Sequence, residues 1–480
     1  MEPACSLYKK TEFTLRFPDS SGVDKLPESL WWTVFLTCLH SHWILLRPCT
    51  VILPVRLPPG HLEVWRRLLD AEIDTADAYR ESPPAAGGVE WVENGEPVET
   101  GDPVAEQGRC ATAFSGGKDS LLQTGLLCEL TKRPMLVTTT SPMDGKHDHS
   151  TAKRRRILAQ IQARRDVELI EVHTDFRTNL DNHYSQRLGW NFSVNEISDT
   201  FLYTASLIAA GAASGATHLF LASEAEVQEN AELGGKTVQH KHFMYSAVTQ
   251  RALEALLAGN GIRYGSMTSS LHNNAQIPIL LWTRYHDLAD LQYSCWMMAA
   301  DEELCSKCEQ CFRTALCALA AGGNPERMGI RLETLFNTLG GWNPREIPSA
   351  SSVPLLPTQT QRVQGDRQTV DMIHRVPLRR IMSLMTGRRP ELPMEPRTRS
   401  ALKAYAQLRR RVARIPMGNP LGYRPGFLRQ LDPLLRDQLG ALYAAHFQPE
   451  PEEDYRGILD RGDALAAWIC EPLKTHASRN

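Results

Sequence analysis

No uncharged apolar run in this 480-residue chain is long enough to cross a membrane. The nearest candidate is residues 30–46 (LWWTVFLTCLHSHWILL), which is short and contains His40, Ser41 and His42. It reads as a buried core segment. The first residues lack the charged-then-apolar pattern of a secretory signal. The eleven cysteines are an odd number in a large chain, which argues against a disulfide scaffold. The expected location is a reducing cytoplasm, with thiols free or on metal. Net charge is also scarce, at −2. That small value hides two opposed blocks. Residues 371–430 hold fourteen Lys or Arg against three acids, and residues 61–107 hold twelve acids against three Arg. The blocks could neutralise each other inside the fold. Alternatively, the basic one could bind tRNA or an acidic protein, or simply face water. The apolar content of 42% is that of a globular chain with room for several domains.

A Walker A loop is missing too. That pattern places glycine five positions before Gly-Lys and Ser or Thr directly after it. Here Thr112 stands first and Asp119 follows Lys118. What the chain does have is Ser115-Gly116-Gly117-Lys118-Asp119-Ser120, between an apolar strand-like run (Cys110 to Phe114) and a helix-like run (Leu121 to Leu130). Strand, glycine turn and helix together present backbone N–H groups at a helix N-terminus, a geometry that binds phosphate. The glycines allow close approach, Lys118 adds positive charge, and Asp119 can cap the turn or face a magnesium ion.

From Cys110 onward, β-like and helical runs alternate. The β-like runs are 135–140, 167–173, 217–222 and 263–267. The helical ones are 151–165, 200–213 and 241–258. Such alternation predicts an α/β fold with a doubly wound parallel sheet and ligands outside its carboxyl ends. Residues 1–105 read as a separate N-terminal β-containing module. It has an alternating strand at 11–17, a strand at 50–57, and an Asn94-Gly95 hairpin turn joining Glu90–Val92 to Val98. Residues 106–345 form the nucleotide-binding domain, 346–370 a linker rich in Pro, Ser, Thr and Gln, and 371–480 a helical basic tail.

Cys295, Cys305, Cys308 and Cys311 follow C-x9-C-x2-C-x2-C. Four thiolates at this spacing can close a tetrahedral structural zinc site, with an iron–sulfur cluster as the rival. The weaker candidates are His147 and His149, Glu224 and Glu226 at the mouth of the site, and Arg313 beyond the last cysteine. Lys153 to Arg156 read as a solvated helix face rather than a phosphate clamp, and His240-Lys241-His242 as a helix start.

Ser-Gly-Gly-x-Asp-Ser followed by this cysteine set resembles the 7-cyano-7-deazaguanine synthases (QueC-like) of the PP-loop ATP pyrophosphatase superfamily. The resemblance spans roughly residues 108–320. It implies a PP-loop (HUP-type) sheet and an ATP-dependent C–N ligase-like enzyme that needs ATP, Mg2+ and Zn2+. In that chemistry ATP is split to AMP and pyrophosphate. The AMP activates a carboxylate such as 7-carboxy-7-deazaguanine, for amide or nitrile formation or for conjugation to an amine. Ser115 to Ser120 would hold the nucleotide, with Lys118, Asp119 and Ser120 catalytic, and the four cysteines would hold zinc. The family's Tyr-Pro-Asp-Cys substrate motif is replaced by Ser223 to Glu229, and its Arg-Asn pair by Asp199-Thr200. The implied likeness therefore covers the ATP half of the chemistry. Enlarged relatives of this kind are similar to accessory proteins of bacterial antiviral defence operons. The alternatives are a tRNA-modifying PP-loop enzyme and a non-catalytic nucleotide-binding subunit of an assembly.

Overall fold

The structure is a computed structural model. It describes residues 7–10, 12–79, 87–101, 108–140, 148–181, 183–188, 194–233, 236–240, 242–273, 275–293, 295, 304–339, 370–386, 394–415 and 422–477. The expected linker lies almost wholly outside them, as do His147 and the side chain of His149.

Ten strands are named in chain order: β1 (Leu15–Arg16), β2 (Cys49–Leu53), β3 (Val89–Glu93), β4 (Arg109–Ala113), β5 (Met135–Thr140), β6 (Glu168–Thr174), β7 (Ala216–Phe220), β8 (Ala231–Leu233), β9 (Lys236–Val238) and β10 (Arg263–Gly265). The helices that matter below are α1 (Glu28–Leu39), α2 (His61–Ala78), α3 (Lys118–Leu130), α4 (Asp148–Arg164), α5 (Val194–Ala213), α6 (Ala247–Leu257), α7 (Glu309–Ala320), α8 (Leu332–Leu339), α9 (Leu378–Met385), α10 (Pro396–Val412), α11 (Pro433–Ala444) and α12 (Glu452–Ala477).

The main sheet has six strands in the order β1-β6-β5-β4-β7-β10. All its pairings are parallel except β1 with β6. Strands buried on both faces read as continuous apolar runs, and β5 (MLVTTT) is buried at every position. Its side chains divide between two cores, as period two requires. Leu136 joins Leu121, Leu122 and Ile157 on one face, while Met135 and Val137 join Phe201, Leu207 and Leu253 on the other. Helices therefore cover both faces. Chain order reverses between β4 and β7, so the crevice at their carboxyl ends is the place where such sheets bind ligands.

The N-terminal residues do not stand apart. β1 extends the main sheet, with Leu15 opposite Thr174, and Leu30, Val34 and Trp65 share a core with Ala111 and Leu207 of the sheet layers. The run 30–46 is a buried helical segment, as expected. The Asn94-Gly95 hairpin is not formed. β3 pairs in parallel with β2, Cys49 opposite Val89 through Leu53 opposite Glu93, and α2 is the crossover between them. Gly95 serves a different purpose. A Cβ there would lie 2.0 Å from Pro54 O, so the residue is small to let two backbones pass.

The C-terminal part is helical. α10 seats Ala401, Tyr405 and Leu408 in the same core as Phe336 of α8. Among the described residues, no helix is long and apolar enough to cross a membrane.

Candidate functional site

Gly116 has φ +84°, a left-handed conformation that glycine adopts freely. It bends the chain out of β4 so that Gly117, with extended backbone, becomes the N-cap of α3. Glycine offers no capping side chain, and no side chain caps this helix. The first helical bond runs from Leu121 N–H to Gly117 O. The N–H groups of Lys118, Asp119 and Ser120 precede it, and the helix dipole adds partial positive charge at the same point. The turn is braced from within. Ser120 Oγ donates to Gly117 O at 3.0 Å and lies 3.2 Å from Ser115 Oγ, and Gly116 O accepts from Tyr293 N–H at 2.9 Å.

The turn opens onto a cavity of about 300 Å³ at the carboxyl ends of β4, β5 and β7. Ser115, Asp119 and Ser120 line one end. Ala113, Phe114, Val137, Leu221 and Val227 form an apolar middle, and Thr139, Arg154, Tyr203, Glu224, His242 and Tyr245 supply the remaining polar wall. A mostly apolar hollow with a few convergent polar groups is the usual form of a small-molecule site.

Charge in the cavity is graded. Lys118 Nζ is buried and sits 3.1 Å from both Asp119 carboxylate oxygens. Burial alone would lower its pKa, but the carboxylates of Asp119 and Glu224 outweigh that and hold the ammonium charged. Burial, then repulsion from Asp119, pushes Glu224 well above the ordinary carboxylate range, with Lys118 and a hydrogen bond from Asn273 Nδ2 (2.8 Å) opposing. The lining also holds a cation. Arg154 is half-buried and donates from Nη1 to Thr139 O. Behind Tyr203, Arg177 meets Asp199 at 2.8 Å and donates to the Tyr203 hydroxyl at 3.3 Å. Burial raises Asp199 to about 6 despite that arginine.

Of the expected site residues, Ser115, Gly116, Gly117, Lys118, Asp119, Ser120 and Glu224 come together here. Glu226 does not face the cavity. It lies 3.2 Å from His272 Nδ1, and Glu450 approaches the other ring nitrogen at 3.2 Å. Burial opposes charge on that imidazole, but the two carboxylates win and raise it to about 9. Arg424 ties Glu450 (2.7 Å) to Glu229 (3.0 Å), so the C-terminal part grips the segment after β7. Arg313 does not reach the cavity wall. Its charge acts on the buried thiol of Cys317, which also feels Lys118. Arg154 lines the cavity rather than lying on a solvated face, and His242 lines it too, at the start of a 3-10 turn (Phe243–Tyr245) rather than of a helix. Sequence reasoning missed Tyr203 and Tyr245. Neither has a local signal, because α5 and the segment before α6 bring them from far along the chain. Thr139 was legible, as the end of the strand beside β4.

The second constellation is the four-cysteine group. The Sγ atoms of Cys295, Cys305, Cys308 and Cys311 all lie within 4.8 Å of one another, and three of the separations are 3.5, 3.8 and 4.0 Å. A tetrahedral ion with bonds of about 2.3 Å to sulfur puts the sulfurs about 3.8 Å apart. Cys308 is the N-cap of α7, and its sulfur accepts from Cys311 N–H at 3.4 Å. Lys307 and Cys308 N–H groups point at Cys305 Sγ at 3.4 and 3.3 Å. Burial, then the neighbouring sulfurs of Cys308 and Cys295, drives Cys311 far above the thiol range. Four thiolates coexist here only around a cation, so the group could hold a metal ion, with every position filled by sulfur.

No family model, curated protein or solved structure matches this chain.

Proposed function

We propose that the chain is an ATP-dependent adenylating enzyme of the PP-loop type, which splits ATP into AMP and pyrophosphate and passes the AMP to a carboxylate. One observation carries this reading. The uncapped N-terminus of α3, with Lys118 and Asp119 beside it, opens directly onto a cavity of nucleoside size at the reversal point of the sheet.

In this reading the apolar middle of the cavity takes the adenosine, and the phosphates lie against the turn. A carboxylate oxygen of the substrate attacks the α-phosphorus, and the bond to the bridging oxygen of pyrophosphate breaks. Negative charge grows on the phosphoryl oxygens. The N–H groups of Lys118, Asp119 and Ser120 and the Lys118 ammonium would stabilise it. Asp119 and Glu224 would hold a magnesium ion, whose charge would offset that of the phosphates. The four cysteines would hold zinc as a closed structural site that fastens the segment before α7. By the family resemblance, the acid is a 7-deazaguanine carboxylate, and the adenylate is then open to ammonia or another amine.

Asp119→Ala should cut pyrophosphate release from ATP with 7-carboxy-7-deazaguanine by about 10³-fold, the size of losing one charge-stabilising group, with the fold intact by circular dichroism. A variant that releases as much as the parent sinks the assignment.

A further inference from the structure

The structure settles one of the three fates left open for the basic block. Its core is α10, PRTRSALKAYAQLRRRV, which has no acidic residue. Thr398, Ala401, Leu402, Tyr405, Leu408 and Val412 form the buried side of this helix, which packs on α8 and α9. Arg399, Lys403 and Arg410 are exposed on the other side, in one line at spacings of four and seven residues. Arg414, also exposed, continues that line past the C-cap. Among the described residues, the acidic block does not pair with them. Three of its carboxylates are used near home, Glu63 on Arg66 and Arg67, Glu72 on His40, and Asp77 on Arg47. Among the described residues, none of the four cations is in an ion pair; Arg399 donates once, to Met394 O.

Helix electrostatics do not explain the pattern. Cations in the last turn suit the dipole, so Arg409 to Arg411 could be there for the helix alone. Arg397 and Arg399 stand in the first turn, where the dipole favours acids. Arg399 and Lys403 are like charges four residues apart within the helix, which repel. The N-terminal half of the stripe therefore weakens the helix that carries it, while the apolar underside holds it in one orientation. A surface kept charged against its own stability is built for an external anion.

We propose that the Arg399, Lys403, Arg410 and Arg414 face of α10 binds the phosphate backbone of a nucleic acid. At 1.5 Å per residue the stripe is about 22 Å long, and a strand of duplex offers a phosphate about every 3.4 Å of axis. A run of regularly spaced anions along a line is what four collinear cations match. No base-reading group is part of the stripe, so contact is with the backbone and independent of sequence. The inference stands independently of the adenylation reading, because it uses no residue of the cavity.

The test is fluorescence anisotropy on the full chain with a labelled 20-nucleotide single-stranded RNA and a 20-base-pair DNA duplex, from 50 to 200 mM NaCl. Four phosphate contacts predict a slope of log K against log salt near −3 to −4. Arg399→Glu, Lys403→Glu, Arg410→Glu and Arg414→Glu together should weaken binding at least a hundredfold at 100 mM. The corresponding four Gln substitutions should flatten the slope to near zero, with helix content checked by circular dichroism. Reversing Lys10, Lys25, Arg133 and Arg263 instead should leave binding within threefold. A preference between the two probes says which nucleic acid is taken. Absence of binding to both at 50 mM salt overturns the proposal. So does a stripe variant that binds like the control, or polyglutamate of equal charge that competes as well as the nucleic acids.

Discussion

Two helix N-termini in this molecule solve the same electrostatic problem in opposite ways. At α7 the chain supplies its own acceptors. Cys308 caps the helix with its sulfur, and the preceding N–H groups point at Cys305. At α3 the N-cap is Gly117, and Asp119 and Ser120 of the first turn line a cavity. The first end is filled from within, and its sulfurs converge on a point. The second is left bare, and its side chains stand around a space. Other helices here also start without a side-chain cap, α2 at Gly60 among them; what sets α3 apart is the cavity lined by Asp119 and Ser120 of its first turn.

The largest effect should come from undoing the filled end. Cys308→Ser removes one of the four sulfurs that could hold a metal while leaving an oxygen able to cap the helix, and with a metal bound in the parent it should destabilise the chain by more than about 4 kcal/mol. Elemental analysis should show about one zinc per chain in the parent and none in the variant. Iron with visible absorbance would change the metal but keep the contrast.

The reverse experiment fills the bare end. Gly117 has φ −75° and ψ 167°, ideal for a capping residue, and a Cβ there would meet nothing closer than Ser115 Oγ at 3.5 Å. Gly117→Asp should raise stability by a few tenths of a kcal/mol. It should also weaken ATP binding roughly ten- to a hundredfold, as expected for losing hydrogen bonds to a charged group. Calorimetry reads both. A variant that gains stability and keeps its nucleotide affinity would mean that the bare end is not a binding site.

A smaller effect lies in pH. The pKa of Glu224 is higher in the folded chain than in the unfolded one, so the unfolded state binds fewer protons between the two values. Stability is therefore fully present below the unfolded pKa and falls as pH rises toward the folded one, by about 1.4 kcal/mol per pH unit in that window. Glu224→Gln should remove this slope, so that its melting temperature overtakes the parent's as pH rises from 5 toward 8. Parallel curves would show that Glu224 ionises normally. The smallest change is expected from Ser115→Ala, about 0.5–1 kcal/mol, because Ser115 Oγ contributes only the longer contacts to Ser120 Oγ and Gly117 N.

How much of this was legible follows from how far apart the partners lie in the chain. The strands from β4 to β7 and β10 and the helices between them are locally coded runs, and they form close to where periodicity puts them. The Ser115 to Ser120 turn is contiguous, so its geometry and its residues arrive together. The cysteines nearly so. The N-terminal region misleads because Asn-Gly names a turn, while parallel pairing of β2 with β3 is decided by α2 crossing between them. Gly95 met a demand for close approach that no local pattern encodes. Arg154 was hidden by company. Four consecutive cations look solvated, yet helical geometry must turn one of them inward, and it is the one that lines the cavity. His242, Tyr203 and Tyr245 join the wall only because the sheet stacks distant segments side by side.

The hydrogen bond from Tyr293 N–H to Gly116 O carries a further consequence. Tyr293 is two residues from Cys295, so one dipeptide joins the sulfur clasp to the glycine bend. Stripping the ion should slacken that short leash first, and the cradle would lose its shape well before the rest of the chain came apart.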